Sequence, residues 1–272
     1  MKGQQVAYQG IEGSYSNEAA RKFFGSNNLL IPQENFKDVF TAVTSGACIA
    51  GMVPVENSIT GSVVQNYDLL YSSNCMICGE YILPVNHVLL GVEGTDIRSI
   101  RQVFSHEQGF LQCGDFLATH KNWLRIPYFN TAVAAKFVAD EKDKAKAAIA
   151  SAYAGDMFGL TVLAKDICDK TGNSTRFAAI CASGGCEPAA SCNKATILFT
   201  LRHEQGSLAK ALRHLSALNL TRIESRPSPD TNWEYRFYVD LEGDLTDFET
   251  VLSGLTAYCT SVRLLGTYQS AR

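Results

Sequence analysis

Four short polar stretches carry most of the side chains capable of chemistry in the first two thirds of this chain. They are Gln9-Gly10-Ile11-Glu12-Gly13-Ser14-Tyr15-Ser16; Pro54-Val55-Glu56-Asn57-Ser58-Ile59-Thr60-Gly61-Ser62; Ser105-His106-Glu107-Gln108, running on to Gln112 and Cys113; and Asn173-Ser174-Thr175-Arg176-Phe177. Hydroxyls and amides dominate, formal cations are few, and His106 stands as an acid or base. The first three stretches fall where a strand gives way to a helix, and the free N–H groups and partial positive charge of a helix start attract anions. Several such termini facing one crevice make a site for a small carboxylated molecule. Taken singly, each motif has a plainer use: Ser105 with Gln108 fits a capping box, and Asn57 or Ser58 fits a helix cap.

The elements that must position these stretches alternate. Strands are expected at 5–9, 28–33, 47–55, a long apolar region at 76–92, then 102–105, 124–129 and 145–151. Helices are expected at 17–25, 36–46 with Asn35 as cap, 62–71, 107–121, 131–141 and 152–159, and a closing strand follows Phe177. Such alternation predicts an α/β domain with a largely parallel sheet and ligands at the carboxyl ends of its strands. The pattern fits one doubly wound sheet or two smaller lobes equally.

The last third reads differently. Residues 194–202 alternate as a strand and 206–219 carry Leu and Ala at helical spacing. Residues 220–228 and 233–243 read as strands joined by a Ser-, Pro-, Asp- and Asn-rich turn, and 245–259 and 261–269 as a helix and a last strand. The order βαββαβ is the ferredoxin-like plan, with both helices on one face of an antiparallel sheet. A Gly-rich segment around 182–193 links this domain, 194–272, to the first, 1–181. At 272 residues the chain is long enough for two domains that each bury their own core.

Composition narrows the function classes. A formal net charge of −3 offers no basic stripe for nucleic acid. No apolar run approaches the about 20 residues of a membrane helix, and the N-terminal stretch does not read as a signal peptide, so a cytoplasmic location is expected. Nine cysteines are then expected to stay reduced. Cys75-x-x-Cys78 enters an apolar stretch instead of starting a helix, which argues against a redox motif, and Cys181, Cys186 and Cys192 match no zinc spacing, so no metal is expected. Gly10-x-x-Gly13 lacks the third glycine of a dinucleotide fingerprint. The residues by themselves lead to a two-domain protein with an anion-friendly cleft and a regulatory tail.

Two resemblances carry the reading further. The last domain resembles an ACT domain through Gly206-Ser207-Leu208-Ala209 and Glu224-Ser225-Arg226-Pro227, which implies an amino acid bound at a subunit interface. The turns Gly13-Ser14-Tyr15-Ser16, Val53 to Ser58 with Gly61, Ser105-His106 with Gln108, and Thr175-Arg176-Phe177 resemble, in order, the motifs of the prephenate dehydratase family. Tyr153 to Leu160 is similar to the helix that follows that family's late strand. Glu107 stands where the family often has Pro, and Ser207 where it has Ala. The resemblance implies an α/β fold of two lobes like a type 2 periplasmic-binding protein, crossed near residue 80 and returned near 175, followed by the α+β ACT domain. It implies decarboxylating dehydration of prephenate to phenylpyruvate without a cofactor, inhibition by L-phenylalanine through a closed cleft, and a homodimer or homotetramer. Catalytic roles are implied for Thr175, Glu56, Asn57, Ser105 and His106, with Thr175 donating to the departing hydroxyl and Glu56 or His106 as relay. Substrate contacts are implied for Ser14, Ser58, Gln112, Arg176 and Phe177, Arg176 either pairing a carboxylate or bracing its turn. The effector contacts implied are residues 206–209 and 224–227. Arogenate dehydratase and a non-catalytic amino-acid sensor are the rival readings. Removing 195–272 is expected to leave a catalytic part that stands alone.

Overall fold

The computed structural model describes residues 3–185, 191–228 and 234–271. Cys186 and Trp233, used above in reading the linker and a strand, lie outside the described residues. The first lobe is a sheet in the order Leu29–Gln33, Gln5–Gln9, Ala50–Asn57, Ser174–Ala182, Cys75–Pro84. The helices Tyr15–Phe24 and Phe36–Thr44 pack on this sheet through Ala19, Ala20, Val39, Phe40 and Val43. Asn35 caps the second as expected, its side chain accepting from the Asp38 N–H at 3.0 Å. The sheet is mixed and not largely parallel. The three N-terminal strands run parallel, but Ser174–Ala182 returns from the other lobe and inserts antiparallel to both neighbours.

The expected long strand at 76–92 is two strands, one per lobe, because the chain crosses at residues 85–86 between Cys75–Pro84 and His87–Gly91. The second lobe orders Thr161–Ala164, His87–Gly91, Lys146–Ser151, Gln102–Ser105 and Leu124–Pro127. Its strand Thr161–Ala164 was not expected; four residues are too few to show a period. The helix expected at 107–121 is broken into Glu107–Gln112 and Gly114–Ala118. Asp169, on the returning segment, accepts from the N–H groups of Gly114 at 2.8 Å and Asp115 at 2.9 Å. That carboxylate caps a fresh helix start and replaces the bonds a continuous helix would have made.

The third sheet is antiparallel, in the order Asn219–Pro227, Tyr235–Glu242, Lys194–Leu201, Cys259–Tyr268. The helices Ser207–His214 and Phe248–Leu255 cover one face over Ala195, Ile197, Phe199, Val239 and Leu241. The order and the covered face are those of the ferredoxin-like plan. The other face is buried too. Leu198, Tyr238, Leu265 and Tyr268 join Val55, Tyr67, Leu70, Ile77 and Ile180 in one hydrophobic cluster. Gly266 makes the close approach possible: a Cβ there would lie 2.0 Å from the Ile77 carbonyl oxygen. The first lobe and the regulatory sheet share this cluster, while Ala195, Ile197, Phe199, Val239 and Leu241 under the two helices form a core of the regulatory domain's own.

Candidate active site

The two lobes face each other across a cavity of about 530 Å³, lined among others by Gln9, Tyr15, Asn57, His106, Gln112 and Thr175. A smaller cavity of about 180 Å³ adjoins it, sharing Thr60, Gln108 and Gln112 and adding Lys170 and Asn173. Asn57 is fixed by the turn it makes. Its Oδ1 accepts from the Ile59 and Thr60 N–H groups, both at 3.0 Å, which folds the chain back after the strand. The amide then points Nδ2 at Asn173 Oδ1, 2.8 Å, and Thr175 Oγ1, 3.1 Å. Strand register puts Thr175 opposite Asn57. Because Thr175 Oγ1 accepts that bond and no acceptor among the described residues takes its hydrogen, its O–H is left to donate into the cavity.

The chain of polar groups continues across the cleft. Asn173 Nδ2 donates to Gln112 Oε1 at 3.3 Å, and His87 Nε2 lies 3.0 Å from the same oxygen. His87 Nδ1 lies 3.0 Å from the Tyr15 hydroxyl. A neutral imidazole with its proton on Nε2 satisfies both contacts, donating to Gln112 and accepting from Tyr15. Burial pushes the His87 pKa down to about 4, against which the Gln112 bond acts weakly.

This burial has a measurable consequence. The folded protein holds His87 neutral where the unfolded chain, near 6.5, takes up a proton, so stability is complete above 6.5 and falls as pH drops toward 4. The loss from this one group is about 3 kcal/mol at pH 4. Denaturant melts from pH 7 to 4 on the parent and on His87→Gln check it. The parent should lose that much more than the variant, and parallel pH curves would show that His87 is not the group responsible.

Several expected site residues lie elsewhere. Arg176 is not a cleft residue: its guanidinium is buried and bound to Glu56, Glu80 and Asp240, so it braces its strand and does not pair a substrate carboxylate. Glu56 faces the same way, 3.0 Å from Arg176 Nε, and is no relay to Thr175. Phe177 is buried with Tyr8, Met52 and Leu83. Ser105 is fully buried, donating to the Ile149 carbonyl at 2.8 Å, beneath Gly109. The capping box is also corrected, because His106 is the cap: its Nδ1 accepts from the Gln108 N–H at 3.2 Å and leaves Nε2 for the cavity. Ser14 caps the first helix through the Asn17 N–H at 3.2 Å. Ser58, exposed, accepts from the Ser174 N–H at 2.9 Å and braces the returning segment.

Sequence reading missed Tyr15, His87 and Asn130. Asn130 caps the helix Thr131–Glu141 at a strand-to-helix turn and had the same signal as the other turns. His87 had none, because it sits in an apolar strand and gains meaning only opposite Tyr15 and Gln112.

In the regulatory domain the two motifs are separated. Ser207 and Leu208 line a cavity of about 160 Å³ with Arg202, Glu204, Tyr235 and Phe237. Glu224 instead accepts from the Ser62 hydroxyl of the first lobe at 2.6 Å, and Arg226 pairs with Asp68 at 3.0 Å. Among the described residues, the cavity lined by Ser207 and Leu208 takes in none of residues 224–227.

Two α/β lobes face each other across an amide- and hydroxyl-lined cleft, and a ferredoxin-like domain packs on one of them, which is the build of a two-lobed cleft protein with a fused α+β domain. The prephenate dehydratase family profile matches residues 6–184, and the chain belongs to that family. It is 38% identical, over 97% of its length and 72% of the relative's, to arogenate dehydratase/prephenate dehydratase 2, chloroplastic, of Arabidopsis thaliana. The solved prephenate dehydratase of Arthrobacter aurescens in complex with L-Phe superposes with a TM-score of 0.88 at 28% identity, covering 98% of this chain and 90% of that one. A structure described as GqqA, a novel type of quorum quenching acylases, has the same TM-score, 0.88, at 28% identity, covering 98% of both chains. The last domain keeps the βαββαβ order with both helices on one face of its antiparallel sheet.

Proposed function

We infer that this chain is a prephenate dehydratase, a carbon–oxygen lyase of phenylalanine biosynthesis. The observation that carries the reading is the Thr175 hydroxyl, held by Asn57 at the cleft floor with its hydrogen left for a substrate oxygen. In the reaction the bond to the ring carboxylate breaks, carbon dioxide leaves, and its electron pair enters the ring. The C4–O bond breaks in turn, and the departing hydroxide takes a proton to become water. Thr175 donates a hydrogen bond to that oxygen as charge builds on it. A threonine is too weak an acid to deliver the proton alone, and His106 Nε2 or water supplies it. Preorganised donors in a cleft shut off from water act far more strongly than in solution. With Arg176 buried, the substrate carboxylates fall to Lys170, to side-chain amides and to the N–H groups at the helix start after Asn130.

Phenylalanine is the effector, bound by residues 206–209 of one chain and 224–227 of a second. The separation of these motifs within a chain supports a shared pocket, and with it a homodimer or a tetramer of dimers, since an isologous contact duplicates the site. Free thiols at Cys48, Cys75, Cys78, Cys113, Cys168 and Cys259 fit a reducing cytoplasm.

The test is to incubate purified protein with prephenate and with arogenate, following phenylpyruvate and phenylalanine separately, with and without millimolar L-phenylalanine. Phenylpyruvate from prephenate, suppressed by L-phenylalanine, is expected. Phenylalanine from arogenate alone would move the assignment to arogenate dehydratase. Neither product from either substrate would remove the dehydratase reading.

A further inference from the structure

The seam between the regulatory sheet and the first lobe is charged well beyond what packing requires. Arg176 sits in it with Nε 3.0 Å from Glu56, Nη1 3.1 Å from Glu80 and Nη2 2.7 Å from Asp240. Nη2 also donates to the Tyr67 hydroxyl at 3.2 Å. Lys194 is 3.0 Å from Glu80 and 3.1 Å from Glu242. Asp240 takes a further bond from Thr196 Oγ1 at 2.8 Å, and Thr196 meets the Tyr268 hydroxyl at 2.7 Å. Burial works against the charged guanidinium, but Asp240 and its neighbours outweigh it and hold the Arg176 pKa above the ordinary arginine range.

Buried ion clusters of this kind contribute little net stability, because desolvation offsets the attraction. What they fix is orientation, and Arg176 is the residue after Thr175. The ladder to Ala50–Asn57 shifts register between Arg176 and Phe177, while the ladder to Cys75–Pro84 stays in register from Ser174 to Ala179, so one edge of this strand end is irregular. The guanidinium ties that irregular edge to Glu56 and to the regulatory sheet. A second link reaches the same point: Glu224 of the effector motif accepts from Ser62, and Ser62 pairs in register with Glu56, the partner of Arg176.

Given the dehydratase reading, we propose that Asp240 of the regulatory domain is a positioning residue for Thr175, acting through Arg176, and that this pair couples effector binding to the cleft. Phenylalanine, by moving the regulatory sheet, shifts the Asp240–Arg176 contact and the strand end that aims the Thr175 hydroxyl. Coupling of this sort is reciprocal, so disturbing the contact alters the effector response as well as turnover.

Asp240→Asn tests the proposal. Arg176 keeps Glu56 and Glu80, and Lys194 keeps Glu80 and Glu242, so no buried cation is left alone. Leu198→Ala, at the same seam but outside the ion cluster, is the control for lost stability. For D240N, kcat should fall about tenfold with KM within about twofold. The phenylalanine concentration for half inhibition should rise by about fivefold or more. Hydrogen exchange at the amides of 174–176 should also quicken. L198A should lower Tm and leave all three near the parent. D240N with the parent's kcat and exchange overturns the proposal, as does L198A reproducing every D240N change. A lowered kcat with the parent's phenylalanine response keeps the positioning role and overturns the coupling. If D240N fails to fold, Asp240→Glu is read by the same criteria. A parent that forms no phenylpyruvate sinks the dehydratase reading, while exchange at 174–176 still decides the positioning role.

Discussion

Thr175→Ala is expected to lower kcat about 100- to 1,000-fold, or roughly 3–4 kcal/mol, the loss seen when one oxyanion-type donor is removed. The hydroxyl acts on charge that appears only as the C–O bond breaks, so kcat should fall more than substrate binding weakens. The fold should survive. Asn57 Nδ2 keeps Asn173 Oδ1 at 2.8 Å and the Ser174 carbonyl at 3.1 Å, so truncating Thr175 leaves no buried donor unpaired. Thr175→Ser keeps the donor and should retain much of the activity, with some loss of aim from the missing methyl group. Steady-state kinetics and thermal melts of both variants decide it. An alanine variant that is destabilised yet turns over near the parent rate would make Thr175 a packing residue and end this mechanism.

Deleting residues 195–272 should prevent folding of what remains, contrary to the sequence-based expectation of a catalytic part that stands alone. The deletion removes Leu198, Tyr238, Leu265 and Tyr268 from a cluster that also holds Val55, Tyr67, Leu70, Ile77 and Ile180. Burying one large apolar side chain contributes about 1.5–3 kcal/mol. Losing four such groups, and exposing the partners beneath them, removes an amount comparable to the roughly 5–15 kcal/mol that hold an ordinary domain folded. The truncated chain should bind a hydrophobic dye, show no cooperative melt and form no phenylpyruvate. A cooperative transition near the parent Tm, with turnover retained, would show that the shared core is dispensable.

Most elements were legible in the sequence because their cause is local. The period of Phe36–Thr44 with its Asn35 cap and the alternation of Lys194–Leu201 are written in neighbouring residues. So are the turn at Asn57 and the order βαββαβ. Of the residues in the polar turns, Asn57, His106, Gln112 and Thr175 line the cleft. Other features depend on residues far apart in the chain. The helix at 107–121 breaks because Asp169 arrives from the returning segment. His87 becomes a neutral, doubly bonded imidazole only where Tyr15 and Gln112 meet it from two other elements.

The regulatory strands show the division most sharply. In Lys194–Leu201 and Tyr235–Glu242, Ala195, Ile197, Phe199, Val239 and Leu241 lie on the face under the helices. The alternate residues Lys194, Thr196, Arg236 and Asp240 stand on the other face, and a polar row on a half-buried sheet ordinarily meets water. Tertiary structure turned that row into a buried seam, where Asp240 and Lys194 meet Arg176 and Glu80. A strand's own residues state which side is apolar. Whether the polar side meets solvent or the opposite charges of another lobe depends on chain more than 60 residues away, with |i−j| of 64 for Arg176 and Asp240 and 114 for Lys194 and Glu80. Local sequence patterns cannot encode that pairing, and it is what joins the regulatory domain to the strand that carries Thr175.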